Sequence, residues 1–254
     1  MQELCNLLFE LSNVDRLNIL RELKKTPMKL SRVSERFDFT VPETARNISR
    51  LSEANLIVKD VDGLFHLTPF GEEALRLLPG FDFLSKHQKY FKTHTLSTLP
   101  PEHASNVSAL ADSKFINSVT ETIYNTENMM REAQEFIWVI MDQILASALP
   151  IIKEAVTRGV EFRKILPRNA GIPKSILALS NDPVFEKAAR AQKLESRYLD
   201  KVEVAILLSE KEVAAIAFPN LEGKFDFIGF RAESESALKW SKSLFSYYWD
   251  RAKR

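Results

Sequence analysis

The stretch TVPETARNISRLSEANLIVKDVDGLFHLT, residues 40–68, decides the fold of the N-terminal part of the chain. The hydroxyl of Thr40 can cap a helix, and Pro42 falls in the first helical turn, where a missing N–H costs little. Two short strands, residues 57–60 and 64–67, are joined by Asp62-Gly63, which is a strong hairpin signal. The stretch therefore predicts a helix followed directly by a β-hairpin.

Further helices are predicted on both sides of this stretch. Apolar residues at helical spacing between Val14 and Leu23 indicate a first helix, and KLSRVSERF, residues 29–37, indicates a second. After the hairpin, Thr68 can cap the helix PFGEEALRLL, which we expect Pro79-Gly80 to end. The order predicts a helix-turn-helix with a hairpin behind it, although the helices alone also suit an ordinary three-helix bundle.

The helix that begins at Thr40 is predicted to have two unlike faces. Val41, Thr44/Ala45, Ile48 and Leu51 are expected to pack inward, which leaves the polar side chains outward. An α-helix fits the major groove of B-form DNA, where Arg suits guanine, Asn suits adenine and Glu suits the amino group of cytosine. The predicted base-reading residues are Glu43, Arg46, Asn47 and Arg50. The alternative interpretation is a solvated face.

Phosphate contacts are expected from basic residues around that helix. Residues 16–59 hold ten Lys and Arg against five Asp and Glu, whereas residues 60–80 hold one against four. Because the net charge of the chain is only +1, this local excess permits nucleic-acid binding without requiring it. The predicted DNA-binding residues are Lys29, Arg32, Thr40, Pro42, Glu43, Thr44, Arg46, Asn47, Arg50 and Lys59.

Residues 10–80 resemble the winged helix-turn-helix family of transcriptional regulators. The motifs that carry the resemblance are RLSEANLIVK, at the end of the predicted reading helix, and LTPFGEEAL, after the hairpin. Family members usually have Gly where this chain has Asn55, and Asn tolerates the left-handed backbone almost as well. The resemblance implies a domain that binds double-stranded DNA.

The length and composition indicate two soluble domains. A chain of 254 residues with 45% hydrophobic and 27% charged residues can bury two cores. The longest apolar run, FIWVIM at residues 136–141, is far short of a membrane span, and the N-terminus has no signal-peptide pattern. We therefore expect a cytoplasmic protein with a DNA-binding domain at 1–80, a helical linker at 81–112 and an α/β domain at 113–254.

The predicted linker contains an amphipathic helix that can pair two subunits. Phe81, Leu84, Gln88 and Phe91 keep helical spacing before Pro100-Pro101 breaks the pattern. Pairing would suit DNA half-sites that lie one helical turn apart, so a homodimer is expected. Three of the four histidines lie in this segment, but their spacing does not predict a metal site.

The second half is predicted to be an α/β domain. A helix is expected at 114–133, followed by the strand EFIWVIMD, the helix PIIKEAVTRG and the strand VEFRKILP, which together form a βαβ unit with parallel strands. The helix PVFEKAARAQ, the hairpin of VEVAILLS and EVAAIAF, the strand KFDFIGF and a helix at 234–252 follow. Ligands bind beyond the carboxyl ends of such strands, so Asp142, Gln143, Arg168 and Asn169 are candidate ligand residues. A surface salt bridge between Asp142 and Arg168 is the alternative.

This half resembles the phospholipase-D-like α/β domain, and more closely its degenerate form in archaeal winged-helix regulators, the filament-regulator or methanogenesis-regulator middle domain. The motifs are KYFKTHTLSTLP, EGKFDFIGF and ALKWSKSLFSYYW. Phospholipase-D chemistry needs histidines, and none follows His103, so no catalytic residue, metal or cofactor is predicted. The sequence favours a dimeric, sequence-specific transcriptional regulator that senses a small molecule. A degenerate phosphodiesterase or nuclease and a winged-helix protein-interaction module are the alternatives.

Overall fold

The computed structural model describes residues 1–143, 145–170 and 182–254 and divides the chain into two compact units, Met1–Phe81 and Asp82–Arg254. The segment 81–112, which was expected to be a linker, belongs almost entirely to the second unit. Its side chains Phe83, Tyr90 and Leu110 are buried in the core of that unit. Burial of these apolar groups explains why the segment does not stand apart.

The first unit, Met1–Phe81, consists of helices and one hairpin. Its core includes Ile19, Leu20, Leu51 and Leu56, all fully buried. The helices and the hairpin predicted from the sequence are present, and an additional helix precedes them. The elements are α1 (Gln2–Leu11), α2 (Val14–Leu23), α3 (Leu30–Phe37), α4 (Val41–Glu53), β1 (Ile57–Lys59), β2 (Phe65–Leu67) and α5 (Pro69–Lys86), which continues into the second unit.

The junction between β2 and α5 is fixed against the end of α4. Asn55 has the left-handed backbone expected from the sequence, with φ of 57°. The Thr68 hydroxyl donates to the carbonyl of Asn55 (2.6 Å) and accepts from the N–H of Gly71 (2.9 Å). A Cβ on Gly71 would lie 2.1 Å from the carbonyl oxygen of Leu56, so only glycine fits there.

The prediction that Pro79-Gly80 ends α5 is wrong, because the helix continues through Pro79 to Lys86. Proline removes one backbone hydrogen bond from a helix and clashes with the preceding turn, so continuation needs compensation. Buried apolar side chains lie on both sides of it, Leu75 and Phe83, and their packing outweighs the local preference.

The second unit contains one mixed sheet with helices on both faces. The described strands run in the order β3-β9-β8-β7-β4-β5-β6, with β4, β5 and β6 parallel and the other pairs antiparallel. The elements are α6 (Gln88–Phe91), α7 (Pro101–Ser105), a 3-10 helix (Val107–Leu110), β3 (Lys114–Ile116), α8 (Val119–Glu132), β4 (Phe136–Ile140), α9 (Ala148–Thr157), β5 (Glu161–Pro167), α10 (Pro183–Arg190), β6 (Leu194–Leu199), β7 (Ala205–Ser209), β8 (Val213–Ala217), β9 (Gly229–Ala232) and α11 (Glu235–Arg251).

The predicted topology of this unit is confirmed in its centre and corrected at its edges. Strands β4 and β5 are parallel around α9, and β7 and β8 form the predicted hairpin. The helix expected at 114–133 begins only at Val119, because the Ser118 hydroxyl caps it and residues 114–116 pair with β9. The last strand is later than predicted, since Phe227 has φ of 61° and interrupts the extended chain.

Each face of the sheet has its own apolar core. One core joins α11 and the segment around Phe83 to the sheet, and the other joins α8, α9 and α10 to the opposite face. Alternate residues of each central strand therefore serve different cores. In the described residues, no helix is long and apolar enough to cross a membrane.

Candidate nucleic-acid interface

The start of α4 is fixed by the residues that the sequence suggested. The Thr40 hydroxyl accepts from the N–H of Glu43 at 3.4 Å, and Pro42 lies in the first turn. The Thr44 hydroxyl donates to the carbonyl oxygen of Thr40 at 3.0 Å. The carboxylate of Glu43, half-exposed in this first turn, lies where the helix dipole favours negative charge. The first turn is therefore capped by the side chain of Thr40.

The inward face of α4 differs from the predicted one by a rotation about the helix axis. Thr44, Asn47, Ile48 and Leu51 are the buried residues of the helix, at the spacing i, i+3, i+4 and i+7. Val41, expected to pack inward, is 63% exposed, whereas Asn47 is only 6% exposed. Asn47 is therefore placed wrongly among the groups facing outward, because its position lies on the packing stripe. Thr44 packs inward as expected, so neither side chain is exposed for the DNA contact predicted from the sequence.

The outward face of α4 is less polar than predicted and carries one exposed cation, Arg46. Arg46 is exposed, and no ion-pair partner for it lies among the residues that the structure describes. The Ser49 hydroxyl lies one turn on and donates to Glu53 at 2.7 Å. The groups exposed on the reading face, as we call it from here, are Val41, Pro42, Ala45, Arg46 and Ser49.

Arg50, predicted to read guanine, is held by the protein itself. Its guanidinium pairs with the Glu10 carboxylate, with 3.3 Å between Nε and Oε2, and lies over the Phe9 ring at 5.4 Å. This ion pair raises the pKa of Arg50. The same carboxylate is 3.1 Å from Nε of buried Arg16. Glu10 therefore joins α1 to α2 and α4, a contact across 40 residues for which the local sequence gives no signal.

The predicted phosphate-binding residues are all exposed. Lys29 precedes α3, and Arg32 in its first turn pairs with Glu35 at 2.9 Å, a surface pair that a phosphate can displace. Lys59, at the end of β1, has its Nζ 5.8 Å from the centre of the Phe65 ring. These side chains can reach a polyanion without unfolding any element.

The Asp60 carboxylate stabilises the hairpin between β1 and β2. The Asp60 carboxylate accepts from the N–H groups of Asp62 (3.0 Å) and Leu64 (2.8 Å), and Gly63 supplies φ of 80°. Its other oxygen is 2.5 Å from Nε2 of His66, and this hydrogen bond lowers the pKa of Asp60. Lys59 is the one Lys or Arg in residues 57–67.

The four candidate ligand residues of the second unit do not form one site. Arg168 pairs with Asp200, Nε to Oδ1 at 3.0 Å, rather than with Asp142. Burial raises the pKa of Asp142, whose Oδ1 has no hydrogen-bond partner among the described residues. Gln143 and Asn169 are exposed. A cavity of about 340 Å³ lies nearby in this unit, and none of these four residues is among its described lining.

The histidines of the second unit serve packing. The His87 ring packs edge-on against Phe83 and Phe230, and burial lowers its pKa. Burial likewise lowers the pKa of His103, while His94 is 3.1 Å from the Asp226 carboxylate. Within the described ranges, no group of three or more His, Cys, Asp or Glu is placed to hold a metal ion.

The chain is distantly similar to several solved structures. The archaeal chromatin protein TrmBL2, described as showing a novel mode of DNA binding, shares 17% identity over 95% of this chain and 94% of its own, with a TM-score of 0.44. Nuc of Salmonella typhimurium, a phospholipase D family member, shares 8% over 52% of this chain and 88% of its own (TM-score 0.40). NucT from Helicobacter pylori shares 12% over 56% and 96% (TM-score 0.41). No family model and no curated protein matches the sequence.

Proposed function

We propose that the first unit is a winged helix-turn-helix domain and that the protein is a transcriptional regulator that binds double-stranded DNA by sequence. The observation that carries the proposal is the reading face. On a helix capped by Thr40 it presents one guanidinium with no ion-pair partner among the described residues, one hydroxyl and small apolar groups. Exposed cations before α3 and at the end of β1 flank this helix in the sequence.

The reading face divides into groups with different tasks. Arg46 donates two hydrogen bonds to guanine O6 and N7, and Ser49 donates or accepts at either base type. Val41 and Ala45 contact the methyl groups of thymine. Lys29, Arg32, Lys59 and the N–H groups at the start of α4, near Thr40 and Pro42, bind phosphates and fix the register. Arg50 supports the helix through Glu10 and does not read bases.

The active form is proposed to be a homodimer. A two-fold symmetric dimer contacts two DNA half-sites at once, which raises its affinity for DNA. A change in the distance between its two DNA-binding domains would then change that affinity. Leu77 and Phe81, one turn apart on α5, are 63% and 66% exposed and supply an apolar surface for pairing. The second unit is proposed to sense a small molecule in the cytoplasm and to change the affinity of the dimer for DNA.

No reaction is assigned to the protein. Phospholipase-D chemistry requires a histidine nucleophile and a histidine acid or base. The last histidine of the sequence is His103, whose ring packs against Trp240 and whose Nε2 is 3.2 Å from the Ser243 hydroxyl. His103 therefore serves packing, and the chain after it holds no histidine for this chemistry.

Selection of duplexes from a random library tests the proposal. The full chain should enrich a short motif, arranged as two half-sites about one turn of DNA apart, and its affinity should fall steeply with salt. The slope of log K against log salt should be reduced by about one in Lys59→Ala. Retention of all duplexes alike would reject sequence-specific binding, and an enriched single half-site would reject the dimer.

A further inference from the structure

The cavity of the second unit lies between the sheet and the helices α8, α9 and α10. Its volume of about 340 Å³ falls within the range of about 300–1,000 Å³ that is usual for small-molecule sites. An apolar cavity of about 150 Å³ already accepts benzene. The space is therefore large enough for a ligand of the size of a short fatty acid.

The lining of the cavity is mostly apolar. Both the sheet and the helices contribute apolar side chains to the lining. These include Val139 from β4, Met141 directly after it, Phe162 from β5, Leu207 from β7 and Ile152 from α9. Most of these side chains belong to the core of that sheet face. A sugar or another polar ligand would lose its hydrogen bonds to water here and regain few, whereas a hydrocarbon group would be favoured.

One cation enters this apolar space. Phe162, Lys164 and Leu166 alternate along β5 on the cavity side, whereas Arg163 points to the other face, where it lies over the Trp138 ring at 5.5 Å. In the ladder, Lys164 is flanked by Val139 of β4 and Ser196 of β6, which also line the cavity. Lys164 therefore lies between two other residues of the cavity lining.

The ammonium of Lys164 has no carboxylate within ion-pair distance among the described residues. The other titratable groups of the lining are Glu186 on α10, whose ion pair is with Arg190 (3.7 Å), and Tyr198 on β6. Burial lowers the pKa of Lys164. A half-buried ammonium without a counter-ion among the described residues is costly, and an anionic ligand would remove that cost.

We propose that this cavity binds a small apolar anion, with the hydrocarbon part against Phe162, Ile152 and Leu207 and the carboxylate on the Lys164 ammonium. Ser196, beside Lys164, supplies a further donor. The assignment rests on the proposed sensing function, for which it names the ligand class. It moves the site from the strand ends, where Asp142 and Arg168 lie, to the face of the sheet beneath α9 and α10.

The test is calorimetric titration of the full chain, without DNA, with octanoate, 1-octanol and octylammonium. Octanoate should bind, 1-octanol should bind more weakly and octylammonium should not bind. Lys164→Met keeps the apolar volume and should weaken octanoate by about tenfold or more, the loss of one charge-assisted hydrogen bond. Lys193→Met, which alters an exposed lysine of the same unit, should leave octanoate binding unchanged.

A second measurement does not depend on a variant. The affinity of the natural chain for octanoate should fall as the pH rises, because the ammonium loses its proton, and this fall should be absent in Lys164→Met. Equal binding of octanoate and 1-octanol, or no binding of either, would overturn the site. DNA binding would survive that result. If octanoate binds but the affinity of the protein for DNA is the same with and without octanoate, the binding site is kept and the sensing function is rejected.

Discussion

The glutamate that joins three helices provides the sharpest test of how the first unit is held together. Glu10 is 12% exposed and contacts Arg16, whose side chain is 10% exposed. Breaking a buried ion pair costs about 3–5 kcal/mol. Arg16 keeps hydrogen bonds to the carbonyls of Glu10 and Phe9 in Glu10→Gln, so we expect a loss of about 2–3 kcal/mol in the free energy of unfolding of this unit.

That loss is large for a unit of this size. At about 0.05–0.15 kcal/mol per residue, a stability of roughly 4–12 kcal/mol is expected for the first unit. With an m-value of about 1 kcal/mol/M, Glu10→Gln should lower its urea midpoint by about 2–3 M. All tryptophans and tyrosines lie after residue 81, so intrinsic fluorescence follows only the second unit, while circular dichroism follows both.

The expected result is a circular dichroism transition that moves to lower urea, with an unchanged fluorescence transition. Glu22→Gln is the matched control, because Glu22 also meets two cations, Lys25 and Arg36, but both are largely exposed. It should change the midpoint little. An unaltered circular dichroism curve in Glu10→Gln would refute the structural role of this carboxylate, and a shifted fluorescence curve would refute its restriction to the first unit.

Three further predictions concern substitutions in the first unit. Gly71→Ala should destabilise it by about 3 kcal/mol or more, since the new methyl group meets the Leu56 carbonyl; unfolding at the natural midpoint would contradict the contact. The stability supplied by Asp60 is present above the usual carboxyl pKa of about 4 and is lost as the pH falls through its lowered value, so Asp60→Asn should remove this acid dependence. Asn47→Ala should lower stability without changing base preference, and an altered preference would place Asn47 back at the interface.

Short-range features of the fold could be predicted because the residues that determine them are neighbours in sequence. Thr40 and Pro42 mark the start of α4, and Asp62-Gly63 marks the hairpin. The exposed face of α4 was harder to predict, because Val41 and Thr44 both begin plausible apolar stripes. Only packing in three dimensions decides between them, and it buries the stripe that starts at Thr44.

Long-range contacts could not be predicted from local patterns. The partner of Arg50 is Glu10, 40 residues away, and the helix break expected at Pro79 is overruled by burial on both sides of it. Lys164 was a readable signal, since a lysine alternates with Phe162 and Leu166 in a strand that is otherwise apolar on that face. The prediction from the sequence places a ligand at the strand ends rather than on the strand faces, and therefore does not point to this lysine.

Arg46 gives the most direct test of the central claim, that the reading face contacts base edges. Affinities of Arg46→Ala and Arg50→Ala should be measured on a selected duplex and on its single-base variants. We expect Arg46→Ala to lose about 1–3 kcal/mol of binding free energy and to lose discrimination at one guanine, whereas Arg50→Ala keeps the natural base preference. Unchanged discrimination in Arg46→Ala, or an equal loss on every duplex, would contradict the account.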